Sequence, residues 1–391
     1  MTPEEFKDIA PYEDEQFLEK LAELIKEPGF EHAVRYVMPN VDFNQFCQQL
    51  LNVKNSEQFQ KLVMLPFLKK LAQATTTGVS VSGLENYDKL RSYTIITNHR
   101  DIVLDASFLN MCMVLNGLPT TEIAIGDNLL IYDWINDLVR VNKSFIVRRN
   151  LGVKESLVAA KQLSAYIHYC ISSKNDSVWI AQREGRAKDS NDKTQESLIK
   201  MLSLAGGQSA KANIEAVNLL PCAISYEYDP NDYLKAREFL LRRRDPNFKK
   251  SQRDDLFSME TGLMGFKGKV HYTIGHCITP QIANLPAEAD RNAVAAEAAR
   301  LIDNEIHSGY MIFPINYIAY DHVNNSQEFA SHYTPEQVAE VQNYINSQLQ
   351  KVDVENITPE EHAFMLETVY NMYANPLKNK LKALQTGASM I

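Results

Sequence analysis

A histidine with two nearby carboxylates follows a β-type run at residues 93–97. His99 comes two residues after this run, and the carboxylates are Asp101 and Asp105. A histidine at the carboxyl end of a parallel strand lies where α/β sheets commonly bind ligands. A neighbouring carboxylate would fix the imidazole tautomer, so the histidine could take a proton from a hydroxyl group. Taken alone, the segment slightly favours a simpler interpretation, in which the histidine and an aspartate only cap a helix.

Two basic segments end further β-type runs. In residues 143–150, the adjacent Arg148 and Arg149 could hold a phosphate group through charge-assisted hydrogen bonds. A phosphate group carries about −1.5 to −2 charges, so a turn with several cations also suits it. Taken alone, Arg148 and Arg149 favour a solvated basic strand end, and residues 179–189 fit an exposed charged loop equally well. The second segment, residues 179–189, contains such a turn, formed by Arg183, Glu184, Gly185, Arg186 and Lys188.

Strands must position these segments, and the chain from residue 78 onward shows the pattern of an α/β domain. Short β-type runs alternate with helical stretches, which is typical of a largely parallel sheet flanked by helices. We interpret the apolar strand within residues 218–227 as a wall of the site. The predicted strands are residues 79–82, 93–97, 122–125, 145–147, 177–180, 218–224 and 270–274. The predicted helices between them include residues 105–115, 157–169 and 195–204.

Helical patterns dominate both ends of the chain. Apolar residues follow helical spacing in residues 17–25 and 59–68, and Pro66 is expected to bend or break the second series. Residues 287–305 are alanine-rich with a helical pattern. Three Thr-Pro-Glu openings, typical of helix starts, occur at Thr2, Thr334 and Thr358. We therefore divide the chain into a helical N-terminal region, an α/β domain and a helical C-terminal region, at residues 1–77, 78–285 and 286–391.

Taken together and in this order, the segments around His99, Arg148, Arg186 and residues 218–227 resemble the glycerolipid acyltransferase superfamily. That family includes lysophosphatidate acyltransferases and glycerol-3-phosphate acyltransferases. The resemblance implies a His–Asp dyad in which His99 activates an acceptor hydroxyl, with no covalent acyl-enzyme. The hydroxyl would attack an acyl thioester of acyl carrier protein or coenzyme A, and neither a cofactor nor a metal is expected. The resemblance spans about residues 79–277 and includes residues 79–86, 125–130 and 268–275.

The spacing between the histidine and its aspartate departs from the family. Four residues normally separate them, whereas five separate His99 from Asp105. A six-residue step in a regular helix turns roughly 240°, so the two side chains would not share a helix face. Either His99 lies in the turn before the helix, or Asp101 takes the role. We prefer Asp105, because the leucine before it keeps the apolar-then-Asp character of the family motif.

The resemblance also assigns the acceptor site. Arg148, Arg149, Arg186 and Lys188 match the positions that are expected to bind the phosphate of the acceptor. The family's acidic block usually has one residue between its glycine and its arginine, and Glu184-Gly185-Arg186 lacks that residue. Arg186 still aligns if Glu184 replaces a glycine, so the role of Glu184 stays open.

Composition narrows the class of protein and its location. The chain has 391 residues, and 45% of them are hydrophobic. Its net charge of −9 excludes nucleic-acid binding over the whole surface. Five scattered cysteines without a CxxC pair favour a reducing compartment. The first residues are acidic and lack the apolar core of a signal peptide, and no apolar run is long enough to span a membrane. We therefore expect a cytoplasmic protein, peripheral on the inner face of the cell membrane.

One segment is basic within this acidic chain. Residues 233–253 contain eight lysines and arginines together with several phenylalanines and leucines. They could meet anionic lipid or an acidic carrier protein, or form a solvated face. The sequence as a whole predicts an O-acyltransferase of phospholipid synthesis, acting on glycerol 3-phosphate or lysophosphatidate. The alternatives are acylation of a lyso-aminolipid and a non-catalytic lipid-surface binding protein on the same scaffold.

Overall fold

A computed structural model of the protein describes residues 3–205 and 208–388, which build a seven-stranded sheet flanked by helices. This confirms the predicted α/β class. All seven predicted strands are present, with bounds that differ from the predictions by one or two residues. The strands are β1 (Gly78–Ser82), β2 (Thr94–Thr97), β3 (Glu122–Gly126), β4 (Ser144–Val147), β5 (Val178–Ala181), β6 (Leu219–Tyr226) and β7 (Lys269–Ile274).

The strand order is β1-β7-β6-β2-β5-β3-β4. The five strands from β6 to β4 pair in parallel, whereas β7 is antiparallel to β6 and β1 is parallel to β7. Thr97 at the end of β2 is in register with Ala181 at the end of β5, and Gly126 of β3 is in register with Val147 of β4. The carboxyl ends of these four strands therefore meet at one edge, where His99 and both basic segments leave the sheet.

Helices occupy most of the remaining chain. The described residues form 17 α-helices. The first eight are α1 (Asp14–Leu24), α2 (Pro28–Val37), α3 (Phe43–Leu50), α4 (Ser56–Phe59), α5 (Leu65–Thr75), α6 (Leu104–Leu115), α7 (Asp133–Val141) and α8 (Val153–Tyr169). The others are α9 (Glu196–Leu202), α10 (Ala210–Ala216), α11 (Asp232–Arg244), α12 (Gln252–Met264), α13 (Thr279–Ala283), α14 (Arg291–Gly309), α15 (Pro314–Asn324), α16 (Pro335–Leu349) and α17 (Pro359–Ala388).

The sheet separates two apolar cores. Ile95 and Trp179 lie in the core that α6 covers, while Ile96 and Ile180 lie in the core that α8 and α14 cover. Successive side chains of a strand point to opposite faces, so each neighbouring pair contributes to both cores. Burial on both faces explains why these strands read as continuous apolar runs in the sequence. Among the residues that the structure describes, no helix combines the length and apolar character needed to cross a membrane.

Helices in the N-terminal and C-terminal regions begin at the predicted start signals, except that one helix begins later than predicted. The break predicted at Pro66 is a π-helical turn, Gln60–Met64, directly before α5. Thr334 and Thr358 both cap helices, each accepting a hydrogen bond from the backbone N–H three residues later, whereas Thr2 lies outside the described residues. The helix predicted over residues 287–305 is α14, which begins later because Asp290 caps it. Since α14 packs against β6, the proposed boundary at residue 285 stays a prediction.

Candidate functional site

The histidine lies in a loop that two buried polar side chains hold in place. Helix α6 begins at Leu104, so His99 precedes the helix, as the spacing to Asp105 requires. The side chain of Asn98 bonds the backbone N–H and C=O of Ile224 in β6 at 2.7 and 2.9 Å. The indole N–H of Trp179 donates to Thr97 at 3.2 Å, and its ring lies edge-on to His99 with centroids 6.4 Å apart. Sequence reasoning missed these supports because Asn98 and Trp179 carry no charge.

Asp105 is the carboxylate that contacts the imidazole. Its Oδ2 lies 2.8 Å from Nδ1 of His99 and also accepts the backbone N–H of Arg100 at 2.7 Å. The Asp105 side chain is only 1% exposed. Burial raises the pKa of Asp105, while the bonds from His99 and Arg100 act in the opposite direction. Because Nδ1 donates to this carboxylate, Nε2 of His99 is left as the nitrogen that can accept a proton.

Asp101 has a different task. Its Oδ1 accepts the backbone N–H groups of Val103 and Leu104 at 2.8 Å each, so it caps the start of α6. Its own N–H donates to Asp105 at 3.0 Å. A side chain at Gly262 of α12 would collide with the Asp101 carboxylate, so α12 packs directly on this loop. The geometry therefore pairs His99 with Asp105 and gives Asp101 a capping position.

His99 opens onto a cleft of about 1230 Å³, which is large even for a small-molecule site. Its side chain is 13% exposed, whereas Asp101 and Asp105 are buried behind the loop. One part of the cleft is apolar. Representative apolar residues of its lining are Ile125, Leu129, Leu138, Ile146, Leu163 and Met201. Another part is cationic and brings together all of the predicted binding residues, which are Arg148, Arg149, Arg183, Glu184, Gly185, Arg186 and Lys188.

The two arginines after β4 each have a carboxylate partner. Arg148 forms an ion pair with Asp8, and Arg149 forms one with Glu184. The Arg149–Glu184 pair joins the end of β4 to the turn after β5. It gives Glu184 an observed contact, since the sequence had left its role open. A side chain at Gly126 would collide with Arg149, so this glycine makes room for the guanidinium.

The turn after β5 presents cations with spare hydrogen-bonding capacity. Gly185 adopts a φ of 69°, a left-handed conformation that favours glycine. Nε of Arg183 and Nη1 of Arg186 are buried and have no hydrogen-bond partner among residues 3–205 and 208–388. Burial and the nearby charges of Lys250, Arg242 and Arg186 lower the pKa of Lys188 to about 7. The turn can therefore offer donors to an anion that enters the cleft.

The cations of residues 233–253 divide between the surface and the interior: Arg242, Arg243, Arg244, Lys249 and Arg253 are exposed, whereas others are partly or fully buried. Lys235 and Leu240 are buried, and Lys235 pairs with Asp229. Arg244 pairs with Glu361 of α17 at 2.7 Å, which ties α11 to the C-terminal helices. Arg242 and Lys250 line the cleft. Sequence reasoning missed that these cations face the candidate site, because only the fold brings α11 to the turn after β5.

Comparison with known proteins gives a weak similarity. The chain is similar to the crystal structure of the 1-acyl-sn-glycerophosphate (LPA) acyltransferase, PlsC, from Thermotoga maritima, with 13% sequence identity and a TM-score of 0.36. That similarity covers 73% of this chain and 93% of the other. No family model matches the sequence, and neither does any curated protein. A similarity of this size carries no functional conclusion, so function is inferred from the site.

Proposed function

We propose that the protein is an O-acyltransferase that moves a fatty acyl group from a thioester to a hydroxyl of a phosphorylated, glycerol-type acceptor. Glycerol 3-phosphate and lysophosphatidate are the proposed acceptors, and the donor is a thioester of acyl carrier protein or coenzyme A. One observation carries the proposal: a carboxylate-bound histidine opens onto a cleft that has both an apolar part and a cationic part.

His99 acts as the general base in this proposal. Its Nε2 takes the proton of the acceptor hydroxyl as the oxygen attacks the thioester carbonyl carbon, and a tetrahedral intermediate forms. The carbon–sulfur bond then breaks, and the departing thiolate takes the proton back from the imidazolium to leave as a thiol. Asp105 stabilises the imidazolium through the 2.8 Å contact to Nδ1. General-base catalysis of this kind contributes about 10²–10⁴-fold in rate.

The two parts of the cleft suit the two substrates. Apolar side chains from β3, α7, β4 and α8 supply a lining for an acyl chain, since burying each methylene group contributes about 0.8 kcal/mol. The cations of the turn after β5 supply charge-assisted bonds to a phosphate. The non-catalytic alternative would leave the contact between His99 and Asp105 without a use. The lyso-aminolipid alternative keeps the same chemistry and differs only in the acceptor.

An acyl-transfer screen tests the proposal. The purified protein is given acyl carrier protein or coenzyme A thioesters with glycerol 3-phosphate, lysophosphatidate or a lyso-aminolipid. We expect thiol release that depends on a phosphorylated acceptor, together with an acylated product. If only the lyso-aminolipid were acylated, the proposed phosphorylated acceptor would be wrong and the acceptor would be the lyso-aminolipid. The absence of acceptor-dependent thiol release with every pair would favour the non-catalytic binding protein.

We also propose reversible contact with the inner face of the cell membrane from the cytoplasm, because the acylated product belongs in a bilayer. Val153 and Val158 of α8 are 90% and 68% exposed, and the neighbouring Ala159 and Ala160 line the cleft. Exposed apolar side chains beside cations are typical of interfacial helices. Sedimentation with anionic vesicles tests the contact, and recovery of all protein in the supernatant at low salt would contradict it.

A further inference from the structure

A buried carboxylate gathers cations from two separate parts of the chain on the wall of the cleft. Glu238 of α11 is only 3% exposed. It pairs with Lys188 of the turn after β5, with Arg242 at 2.8 Å and with Lys250 at 3.5 Å. The charge of Arg186 acts on both lysines. We call these five residues the Glu238 cluster; its members are Arg186, Lys188, Glu238, Arg242 and Lys250.

The cluster differs from the arginines after β4 in its charge. Arg148 and Arg149 are each matched by one carboxylate, Asp8 and Glu184. In the cluster, three cations share Glu238, Asp255 lies 3.7 Å from Lys250, and the charge of Arg186 acts on both lysines. When Lys188 is protonated, the four cations outnumber these two carboxylates, so the cluster carries a net positive charge that suits a phosphate monoester with about −1.5 to −2 charges.

Two further observations indicate that the cluster is built for an anion. Nη1 of Arg186 is buried and has no partner within the described ranges, although leaving a buried donor unsatisfied is unfavourable. The cations also crowd one another: burial and the charge of Arg186 lower the pKa of Lys250, as burial and like charges do for Lys188. A bound anion would remove both penalties at once.

The cluster shares a wall with the histidine loop. Helix α12 follows Lys250 directly and presses its Gly262 against the carboxylate of Asp101. Ser258 and Met259 of the same helix line the cleft that His99 enters. An anion held by the cluster is therefore inside the cavity that holds the proposed base.

We propose that the Glu238 cluster binds the phosphate group of the acceptor, with Glu238 as the positioning residue for its cations. The identity of the ligand rests on the proposed function. The cationic segment that follows β6 would then determine acceptor specificity together with the turn after β5. A donor phosphate offers the same chemistry, so the experiment separates the two sources.

Neighbouring lysines provide a matched pair of variants. Lys250→Gln and Arg242→Gln each remove one cation of the cluster, whereas Lys249→Gln makes the same change at an exposed position. Calorimetric titration with glycerol 3-phosphate and with inorganic phosphate measures binding without turnover. We expect Lys250→Gln to weaken binding by about 10- to 100-fold, Arg242→Gln by less because its side chain is 54% exposed, and Lys249→Gln by less than about twofold. In steady state, the acceptor KM rises and the donor KM does not.

The pH profile isolates the positioning role of Glu238. The charged groups that face Lys188 are Arg186, Glu238, Arg242, Lys250 and Asp255. Glu238→Gln removes the carboxylate that favours the ammonium form of Lys188, so phosphate binding should be lost at a lower pH than in wild type. Glu238→Asp should restore the wild-type profile, and thermal unfolding checks that both variants fold.

Each outcome is decisive. Equal phosphate affinity in wild type, Lys250→Gln and Arg242→Gln overturns the proposal. A rise in the donor KM alone assigns the cluster to a donor phosphate and overturns the acceptor assignment. If wild type transfers no acyl group but binds phosphate in a Lys250-dependent way, the proposed function fails and the cluster stands as a phosphate site.

Discussion

The histidine loop and the Glu238 cluster both depend on a buried carboxylate, but they assemble around it in different ways. Asp105 meets His99 and two backbone N–H groups within residues 99–105. Glu238 meets cations that are up to 50 residues away in sequence. The first arrangement is set by one strand end and one helix start, whereas the second exists only once α11 lies beside the turn after β5. The contact between His99 and Asp105 could therefore be predicted from local spacing, and the distributed charges of the Glu238 cluster could not.

Removing the imidazole should have the largest effect. His99→Ala removes the proposed general base, which faces the cleft, so acyl transfer should fall by about 10²–10⁴-fold. Steady-state thiol release measures the loss, and calorimetry with glycerol 3-phosphate should show unchanged binding. Turnover like that of wild type would show that His99 is not the general base.

The next largest effect should come from Asp105→Asn, which should lower turnover more than Asp101→Asn does. Asp105→Asn removes the charge that stabilises the imidazolium, and a hydrogen bond to a charged group contributes about 1.5–3 kcal/mol, so turnover should fall by about 10- to 150-fold. Asp101→Asn should cost much less, because asparagine caps helices as well as aspartate does. Matched kcat measurements rank them. The reverse order would mean that the cap, and not the contact to His99, controls the base.

Much of the fold and part of the site could be predicted from the sequence. The central strands were predictable because burial on both faces makes them continuous apolar runs, whereas the edge strand β1 alternates exposed and partly buried residues; His99 followed from its position after β2. The antiparallel pairing of β7 was not predicted, since strand direction depends on the path of α11 and α12. The composition of residues 233–253 showed only a basic segment. It could not show that Glu238 pairs with Arg242 and Lys250 at the cleft, while Arg242 also stays 54% exposed.

Within the turn after β5, Arg186→Ala should mainly weaken acceptor binding. Its buried Nη1 has no partner in the described part of the chain, so its bond to an incoming phosphate would be new. A charge-assisted bond of this type contributes about 1.5–3 kcal/mol, which is about a 10- to 150-fold rise in the acceptor KM. The donor KM is the internal control. A change confined to the donor KM would place the donor at this turn.

Acceptor binding should also depend on pH through Lys188. With a pKa of about 7, its ammonium form dominates below neutrality, so affinity for glycerol 3-phosphate should fall as the pH rises from 6 to 8. Lys188→Arg keeps the charge throughout this range and should flatten the profile. Titrating both proteins at each pH cancels the ionisation of the phosphate itself. If the affinities of wild type and Lys188→Arg changed with pH in the same way, Lys188 would keep its proton up to pH 8. The attraction of Glu238 would then outweigh the repulsion from the neighbouring cations.

The smallest effect should come from replacing Arg148, which lines the cleft but is also exposed to solvent. Arg148 is exposed and pairs with the equally exposed Asp8, and such surface pairs contribute about 0–1 kcal/mol. Arg148→Gln should therefore raise the acceptor KM by less than about fivefold, well below the effect of Arg186→Ala. Asp8→Asn is the matched control, because it frees the same guanidinium. If Arg148→Gln weakened the acceptor as much as Arg186→Ala did, and Asp8→Asn strengthened it, then Arg148 would have to leave Asp8 to bind the phosphate. The proposed difference between Arg148, which is paired with Asp8, and Arg186, whose Nη1 has no partner in the described part of the chain, would then be wrong.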